Sequence, residues 1–383
     1  MLKRISIVIL FIANLAVKAQ VTTIPLLPIQ NKPVTITFDA TQGTAGLKDF
    51  TGDVYAHTGV ITDKSSSSSD WRYVIAPWNI NTGKAKMTRT GANTYTLEIT
   101  PDIRTFYNVP AGETIKQLAF VFRNTDGSKE GKATGGKDIF VDVFSDDLHV
   151  SITSPSKINI FEKNKSFQLT ANSTSSANLK LYQDKQEIAT LTGTTISQTI
   201  TISNAGNYWL KATATQNTTV QKDSVYVCIR ETTTTEPIPS GIQSGINYND
   251  SQSATLAIYA PKKNNIFVVG DFNNWLPDNS YQMKKDGDYF WLKIGNLTPQ
   301  KEYIYQYLID GKLQIADPYT DKVSDPDDKS ISTTIYPNLI AYPEGKASDR
   351  ASVLQTAQTP YNWNTTTYTI PQISKLSIYE LLI

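Results

Sequence analysis

Few residues in this sequence could carry out covalent or metal chemistry. His57 and His149 are the only histidines and lie far apart in the sequence, so neither a histidine zinc site nor a Ser-His-Asp triad is predicted. Cys228 is the only cysteine, which excludes an internal disulfide and predicts a buried, inert thiol. Residues 135–137 (Gly-Gly-Lys) lack the glycine spacing and the hydroxyl residue of a phosphate-binding loop.

One group of acidic residues could bind a cation. Asp325, Asp327 and Asp328 lie in one loop, and calcium prefers carboxylate oxygens as ligands. Their spacing matches no known calcium loop, so we interpret them as a solvated turn. We therefore expect no cofactor in this chain.

Aromatic residues offer a different chemistry, because an aromatic ring can stack on the C–H face of a sugar while nearby polar groups bond its hydroxyls. The run 54–60 (VYAHTGV), followed by Trp71 and Trp78, resembles the starch-binding modules of families 25 and 26. The resemblance implies that Tyr55, His57 and Trp71 form a sugar-binding platform. The alternative is that these aromatics are ordinary core residues. Trp71 is the best exception to that alternative, since it follows a loop of five serines and an Asp.

A second aromatic motif lies in the last third of the chain. An alternating apolar run ends in residues 270–275 (GDFNNW), which predicts a strand that enters a tight turn with an aromatic at its exit. Three tyrosines then alternate along residues 303–307 and are followed by the strong turn dipeptide Asp310-Gly311. The pair of motifs resembles the family 48 carbohydrate-binding module over roughly residues 244–343. That resemblance implies a β-sandwich of the kind placed before the catalytic barrel in many family 13 glycoside hydrolases.

The same resemblance implies which residues would hold a sugar in this module. In binding members of family 48 these are the Trp of the first turn, a Lys on the strand before the Asp-Gly turn, and a second Trp just after it. Trp275 matches the first position and is a candidate carbohydrate-binding residue. Gln306 and Leu313 occupy the other two and supply neither a cation nor a ring. We interpret this copy as a structural partner of the barrel, with glucan binding through Trp275 as the alternative.

The last nine residues, 375–383 (KLSIYELLI), form a near-continuous apolar run. A parallel strand buried on both faces needs such a run, and this one resembles the first barrel strand of family 13 glycoside hydrolases, where Ile-Tyr-Glu opens the (β/α)₈ domain. We expect a polypeptide truncated before its catalytic domain; the alternative is an edge strand of the preceding module.

The family 13 resemblance implies a retaining mechanism, in which two carboxyl groups lie about 5–5.5 Å apart. In that family the catalytic acids come from later barrel strands, so we expect no catalytic residue in this chain. Calcium is left open for the missing barrel.

The N-terminus has the pattern of a secretory signal peptide. Lys3 and Arg4 precede an apolar stretch from Ile5 to Val17, and cleavage is predicted after Ala19. An unremoved anchor is the alternative, but the stretch is shorter than the ~20 residues that cross a bilayer. We expect a secreted, periplasmic or cell-surface protein.

Composition and strand patterns favour an all-β chain. Thr, Ser, Asn and Tyr are abundant, and residues 34–38, 95–99 and 118–122 alternate in polarity. We predict three tandem β-sandwich, immunoglobulin-like domains followed by the first strand of a truncated (β/α)₈ barrel. The predicted divisions are a signal peptide (1–19), an N-terminal β-sandwich and candidate starch-binding module (20–148), an immunoglobulin-like domain (149–235), a linker (236–244), a family 48-like module (245–345), and a connector leading to the missing barrel (346–383).

The predicted function follows from the two resemblances. With a net charge of +1, the chain shows no broad electrostatic footprint for nucleic acid or an anionic membrane. The expected partners are an α-glucan polysaccharide and the protein's own missing catalytic barrel, with no nucleic acid and no membrane insertion. We predict the N-terminal accessory region of an α-amylase-type glycoside hydrolase. The alternatives are a non-catalytic starch-binding surface protein, and a branching or debranching enzyme of the same family.

Overall fold

The computed structural model describes residues 19–155, 158–360, 362, 364, 367 and 369–377. These residues form antiparallel sheets with one short α-helix, so the all-β prediction of tandem sandwiches is confirmed. Two compact units are present: the first ends at Val227 and the second begins at Cys228, except that residues 160–163 and 204–206 group with the second. In the part of the chain described, no helix is long and apolar enough to cross a membrane.

The N-terminal part of the first unit is a sandwich of two sheets. One sheet has the strand order β1-β2-β5-β4; in the other, β6 pairs with β3, β7 and β8. Its elements are β1 (Val21–Ile24), β2 (Val34–Asp39), β3 (Val54–Thr62), β4 (Thr88–Arg89), β5 (Thr94–Ile99), α1 (Ile103–Tyr107), β6 (Ile115–Asn124), β7 (Glu130–Gly131) and β8 (Ile139–Asp142).

Alternation along these strands decides which side chains enter the core. Val34, Ile36 and Phe38 of β2 are buried, and the Phe38 ring stacks on Phe122 with centroids 4.0 Å apart. In β3 the first buried positions are Val54 and Ala56. Since successive side chains of a strand point to opposite faces, residues 55 and 57 lie on the outer face of the β3–β6 sheet.

The rest of the first unit is built around one long strand. The elements are β9 (Val150–Ser154), β10 (Ile158–Glu162), β11 (Ser166–Gln183), β12 (Gln186–Thr201), β13 (Gly206–Gln216) and β14 (Thr219–Arg230), in the order β10-β14-β13-β11-β12. β11 pairs with β12 along its length, while its other edge pairs with β9 at residues 170–173 and with β13 at residues 178–183. A register shift between Asn172 and Ala177 separates the two halves.

The second unit contains another pair of sheets. One has the order β15-β16-β19-β18, and the other β17-β20-β23-β22 with β21 paired to β20. The strands are β15 (Gly245–Asp250), β16 (Ser253–Tyr259), β17 (Ile266–Gly270), β18 (Lys284–Asp286), β19 (Tyr289–Ile294), β20 (Glu302–Ile309), β21 (Leu313–Ile315), β22 (Lys322–Ser324) and β23 (Ala351–Gln355). Short 3₁₀ helices cover Gly83–Ala85, Thr134–Gly136, Asp271–Asn273, Asn279–Tyr281, Pro326–Ser330 and Ile373–Lys375.

The region after Pro343, predicted to be an extended connector, contains a buried strand. β23 pairs with β20 on one side and β22 on the other, and residues 351–354 are all buried. The prediction of a connector was wrong here because residues 351–354 are too few to give a recognisable strand pattern in the sequence. Burial on both faces comes from pairing with segments distant in sequence.

The predicted Thr- and Pro-rich linker is extended, yet it is attached to the second unit. The Glu236 N–H donates to the Lys285 carbonyl (3.0 Å), the Trp291 indole N–H donates to the Glu236 carbonyl (3.0 Å), and Glu236 forms an ion pair with Lys284. Prolines exclude a regular strand here, but the edge of β18 offers unpaired backbone groups. Those groups hold the segment in place.

Two predictions fall wholly or partly outside the described residues. The signal peptide core and the Ile378-Tyr379-Glu380 run belong to residues that the structure does not describe. Just before that run, Ile373–Lys375 form a 3₁₀ turn and Leu376 is exposed.

Candidate functional site

The outer face of the β3–β6 sheet carries a cluster of aromatic side chains. Tyr55 and His57 of β3 lie two residues apart on this face, and Tyr55 pairs directly with Arg123 of β6. The segment after the serine loop runs along the free edge of β3, where the Arg72 N–H donates to the Val60 carbonyl (2.8 Å) and the Val60 N–H donates to the Arg72 carbonyl (2.9 Å). This pairing brings Trp71 beside His57.

Five rings cluster here and are called the aromatic platform: Tyr55, His57, Trp71, Trp78 and Phe140. Four of them are in ring contact with one another, and Tyr55 joins them through Arg123, which lies over the Tyr55 and Trp78 rings. His57 and Trp71 stack with centroids 5.6 Å apart and an interplanar angle of 25°. Trp78 also meets His57, edge-on at 5.0 Å, and Phe140 of β8 meets Trp71 edge-on at 6.3 Å. All five are partly exposed. The three residues that the sequence singled out in this domain therefore lie together on one accessible face.

Arg123 links Tyr55 to Trp78 and was missed from sequence. Its guanidinium carbon lies 5.6 Å from the Tyr55 ring centroid and 5.5 Å from that of Trp78, and the residue is only 2% exposed. It donates hydrogen bonds to the Ile80 carbonyl (3.1 Å) and to Asn81 Oδ1 (2.8 Å). Burial lowers the pKa of this guanidinium. Arg123 therefore holds the loop that carries Trp78 by hydrogen bonds, and its charge lies over the rings of Tyr55 and Trp78.

The electrostatics of the platform favour an uncharged imidazole. Burial lowers the pKa of His57, the neighbouring Arg123 lowers it further, and Asp138 opposes the shift. A neutral imidazole has one nitrogen that donates and one that accepts. The platform therefore offers ring faces and mixed hydrogen-bonding groups, which suits a ligand with apolar faces and hydroxyl groups.

The five-serine loop before Trp71 is folded into a turn. The Asp70 carboxylate accepts hydrogen bonds from the Ser66 N–H (2.8 Å) and hydroxyl (3.2 Å), while the Ser65 hydroxyl donates to the Asp70 carbonyl (2.9 Å). These bonds lower the pKa of Asp70, with the Ser66 backbone bond as the main cause. The polar loop predicted from sequence thus fixes the chain where it enters the platform.

In the second unit, the 270–275 run is a turn that bonds to itself. The Asp271 carboxylate accepts from the Trp275 indole N–H (3.0 Å) and from the Ile304 N–H (2.8 Å). Asn273 accepts from the Gly270 N–H (2.9 Å) and donates to the Val268 carbonyl (2.8 Å). The side chains of this turn therefore join β17 to β20.

Trp275 itself lies in the core. It is 4% exposed and packs with Val269, Ile304, Ala351 and Val353. No ring face is open to a sugar in this conformation, so the geometry assigns the indole a packing role. The binding role considered for Trp275 from sequence has no support from its placement.

Two family models match separate parts of the chain. Residues 243–320 match the model of carbohydrate-binding module 48 (isoamylase N-terminal domain). Residues 21–130, which include most of the aromatic platform, match a family described as a domain of unknown function (DUF8578). The first match supports a carbohydrate-binding module of the type found in family 13 enzymes. No curated protein sequence matches the chain.

Solved structures with related sheets have low overall similarity. Fibronectin(III)-like modules of Clostridium thermocellum CbhA are 15% identical, with a TM-score of 0.19, and the match covers 55% of this chain and 93% of that one. Bacteroides uniformis β-glucuronidase 3 is 10% identical, with a TM-score of 0.22, over 45% of this chain and 25% of that one. A β-glycosidase from Bacteroides vulgatus is 9% identical, with a TM-score of 0.18, over 45% and 24%. The chain spans about a quarter of the two glycosidase structures.

In the region that matches the family 48 model, the other two positions implied by resemblance differ in their surroundings. Gln306 is fully buried and donates to the carbonyls of Ser348 (2.6 Å) and Arg350 (2.7 Å), whereas Leu313 is 50% exposed. The Gln306 side chain ties β20 to the segment before β23. Neither residue presents a cation or a ring.

Beside this position, the buried Asp317 carboxylate accepts hydrogen bonds from the hydroxyls of Tyr305 (2.9 Å) and Tyr307 (2.8 Å). Burial raises the pKa of Tyr307 well above its usual range, and the negative charge of Asp317 raises it further. The tyrosines are therefore held as neutral donors inside the module.

The acidic group of the module caps a short helix. Asp325 accepts from the Asp327 N–H (3.0 Å), Asp328 accepts from the Asp325 N–H (2.8 Å), and Arg350 donates to Asp325 (2.7 Å). This is the turn interpretation made from sequence. Among the described residues, no group of three or more His, Cys, Asp or Glu side chains is placed to hold a metal ion.

Proposed function

We propose that this chain is the N-terminal accessory region of an α-amylase-type glycoside hydrolase, and that the aromatic platform of its first sandwich binds α-glucan. The platform is the observation that carries the proposal: a cluster of partly exposed rings with a neutral imidazole, on a rigid sheet. The family 48 match at residues 243–320 supports the carbohydrate context. The buried Trp275 supports a structural task for that module, namely to support the catalytic barrel.

The proposed role includes export of the protein through its signal peptide. The N-terminal pattern of basic, apolar and small residues supports this part of the proposal.

The glucan proposal is tested by titrating maltoheptaose into the purified chain and measuring heat. Trp71→Ala should weaken binding by about tenfold or more, since a lost stacking surface costs on the order of 1.4 kcal/mol or more. The matched control is Trp209→Ala, because Trp209 is also exposed, at 49%, but lies on β13 away from the platform. Equal affinity of Trp71→Ala and the unchanged chain would contradict the proposal. In a separate titration, a β-linked glucan should not bind.

A debranching enzyme is the second candidate for the parent protein. The matched family is described by the isoamylase N-terminal domain, which favours that activity over other family 13 reactions. Branched and linear α-glucans separate the two candidates: a debranching parent predicts tighter binding of a branched maltooligosaccharide than of a linear one of equal length.

A further inference from the structure

A buried carboxylate lies behind the segment that carries Trp71. Glu113 is 7% exposed, and its carboxylate oxygens are 3.0 Å from Arg72 Nε and 2.6 Å from the Tyr73 hydroxyl. The Thr62 hydroxyl, at the end of β3, donates to the same carboxylate. Burial raises the pKa of Glu113, but the bonds from Thr62 and Tyr73 and the charge of Arg72 outweigh it and hold the pKa below its usual value. The Glu113 side chain is therefore an anion, and its carboxylate has Arg72, Tyr73 and Thr62 as partners.

The residues that Glu113 holds are the two that follow Trp71. Tyr73 has φ of +52°, a left-handed conformation that costs a side-chain-bearing residue on the order of 1 kcal/mol or more. Such a conformation persists only when its surroundings fix it, and the hydrogen bond from the Tyr73 hydroxyl to Glu113 does so. This turn also places the Arg72 carbonyl against Gly59, where a Cβ would lie 2.9 Å away. The chain thus bends over β3 at one defined point.

The negative charge of Glu113 is balanced by the positive charge of Arg72. Besides Arg72, Arg104 donates to the Glu113 carbonyl (2.8 Å), while Asp63 and Lys64 lie at the start of the serine loop and form an ion pair with each other. Asp63 raises the pKa of Glu113 only as the last of several contributions. Removing the negative charge would leave Arg72 without its one ion-pair partner among the described residues.

We infer that Glu113 is the positioning residue of the aromatic platform, acting on the bound glucan through Trp71. The inference rests on the proposed function of the platform. The two sides of Trp71 are fixed separately: Asp70 folds the serine loop before it, and Glu113 fixes Arg72 and Tyr73 after it. With both in place, the Trp71 ring stacks on His57 at an interplanar angle of 25°. Glu113 stacks on no sugar; it determines where the ring lies.

A double-mutant cycle tests this role. Glu113→Gln keeps the size of the side chain but removes the charge and replaces one acceptor oxygen by a donor, so maltoheptaose should bind about tenfold more weakly. In a Trp71→Ala background the same substitution should change the affinity by less than about twofold, because its effect passes through the missing ring. Glu187→Gln, which breaks an exposed ion pair between β12 and Lys180 of β11, is the matched control and should leave affinity unchanged.

Two outcomes overturn the inference: an undiminished affinity in Glu113→Gln, or an equal loss of affinity with and without Trp71. Melting temperatures of all variants show whether each is folded, and Glu113→Asp, with the charge kept, should recover part of the affinity if the charge is what positions Arg72.

Fluorotryptophan NMR separates failure of this inference from failure of the proposed function. With the Trp71 resonance assigned from Trp71→Phe, Glu113→Gln should shift or broaden that resonance and leave the Trp209 resonance unchanged, whether or not any glucan binds. An unmoved Trp71 resonance would refute the positioning role even if the platform binds sugar.

Discussion

At the scale of single residues, the two tryptophans that both looked like sugar contacts have opposite surroundings. Trp71 lies partly exposed in a cluster of rings, whereas Trp275 is enclosed by the core and bonded to Asp271. The same side chain serves as a stacking surface in one place and as packing in the other. Exposure, which depends on neighbours, decides between the two.

Replacing Trp275 should therefore affect stability and not glucan affinity. Trp275→Ala should lower the free energy of unfolding by about 3–5 kcal/mol, because it leaves a cavity in a packed core. Trp275→Phe should cost less, about 1–2 kcal/mol, mainly through the lost bond to Asp271. Denaturant melts measure both, with the exposed Leu313→Ala as control. Lost oligosaccharide binding with unchanged melting would reverse the assignment.

His57 makes the stability of the first unit depend on pH. Its pKa is lowered in the folded state, so between that pKa and the unfolded value of about 6.5 the unfolded chain binds more protons. The contribution of His57 to stability is therefore present above about pH 6.5 and is lost as the pH falls through the folded pKa. Unfolding free energies measured from pH 5 to 8 should fall less steeply toward acid in His57→Gln. Identical slopes in the two proteins would show that His57 titrates as if unfolded.

At the scale of elements, the side chains of the 270–275 turn hold two strands together. Asp271 and Asn273 satisfy backbone groups of β17 and β20, and Phe272 stacks on Tyr281 at 5.1 Å. Gly270 has extended backbone, yet a Cβ there would lie 2.4 Å from the Ile304 carbonyl oxygen. The glycine is needed for close approach of two strands.

Gly270→Ala should consequently separate β17 from β20. We expect a loss of about 1–3 kcal/mol in unfolding free energy, as for other overpacked sites. Gly295→Ala is the matched control, since a Cβ at Gly295 meets no atom within 4 Å. Thermal melts of both variants test this. Equal melting temperatures would mean that the strands yield without cost.

At the scale of the whole molecule, the proposed function assigns this chain sugar binding and support of a catalytic barrel, without bond cleavage. We predict that the purified chain releases no reducing sugar from soluble starch, because the proposed parent family, as the sequence resemblance implies, takes its catalytic carboxyls from later barrel strands. A reducing-sugar assay, with an added α-amylase as positive control, checks this. Release above the buffer blank would require a catalytic pair within these sandwiches.

Charge balance gives a second expectation at this scale. The net charge is +1, and the proposed ligand is neutral. Affinity for maltoheptaose should therefore vary by less than about twofold between roughly 50 and 500 mM salt, since no ion pair is screened. A strong salt dependence would contradict binding of this neutral ligand by ring stacking.

The sequence by itself determined what is local. Alternation predicted β2, β5 and β6, because successive side chains of a strand point to opposite sides. The resemblance to starch-binding modules singled out Tyr55 and His57. The GDFNNW turn could be predicted because most of its hydrogen bonds join residues close in sequence. The Asp-Gly turn could be predicted because Asp310 and Gly311 have φ > 0, a conformation that this dipeptide favours.

Only the tertiary structure decided what covers each face. Arg123 and Phe140 complete the platform from strands far along the chain, Glu113 fixes the Trp71 segment, and β23 is a strand only because two partners flank it. Periodicity states where a side chain points but not which distant segment packs against it. Burial of Trp275 and exposure of Trp71 follow from such long-range contacts, and so does the difference in what the two residues can do.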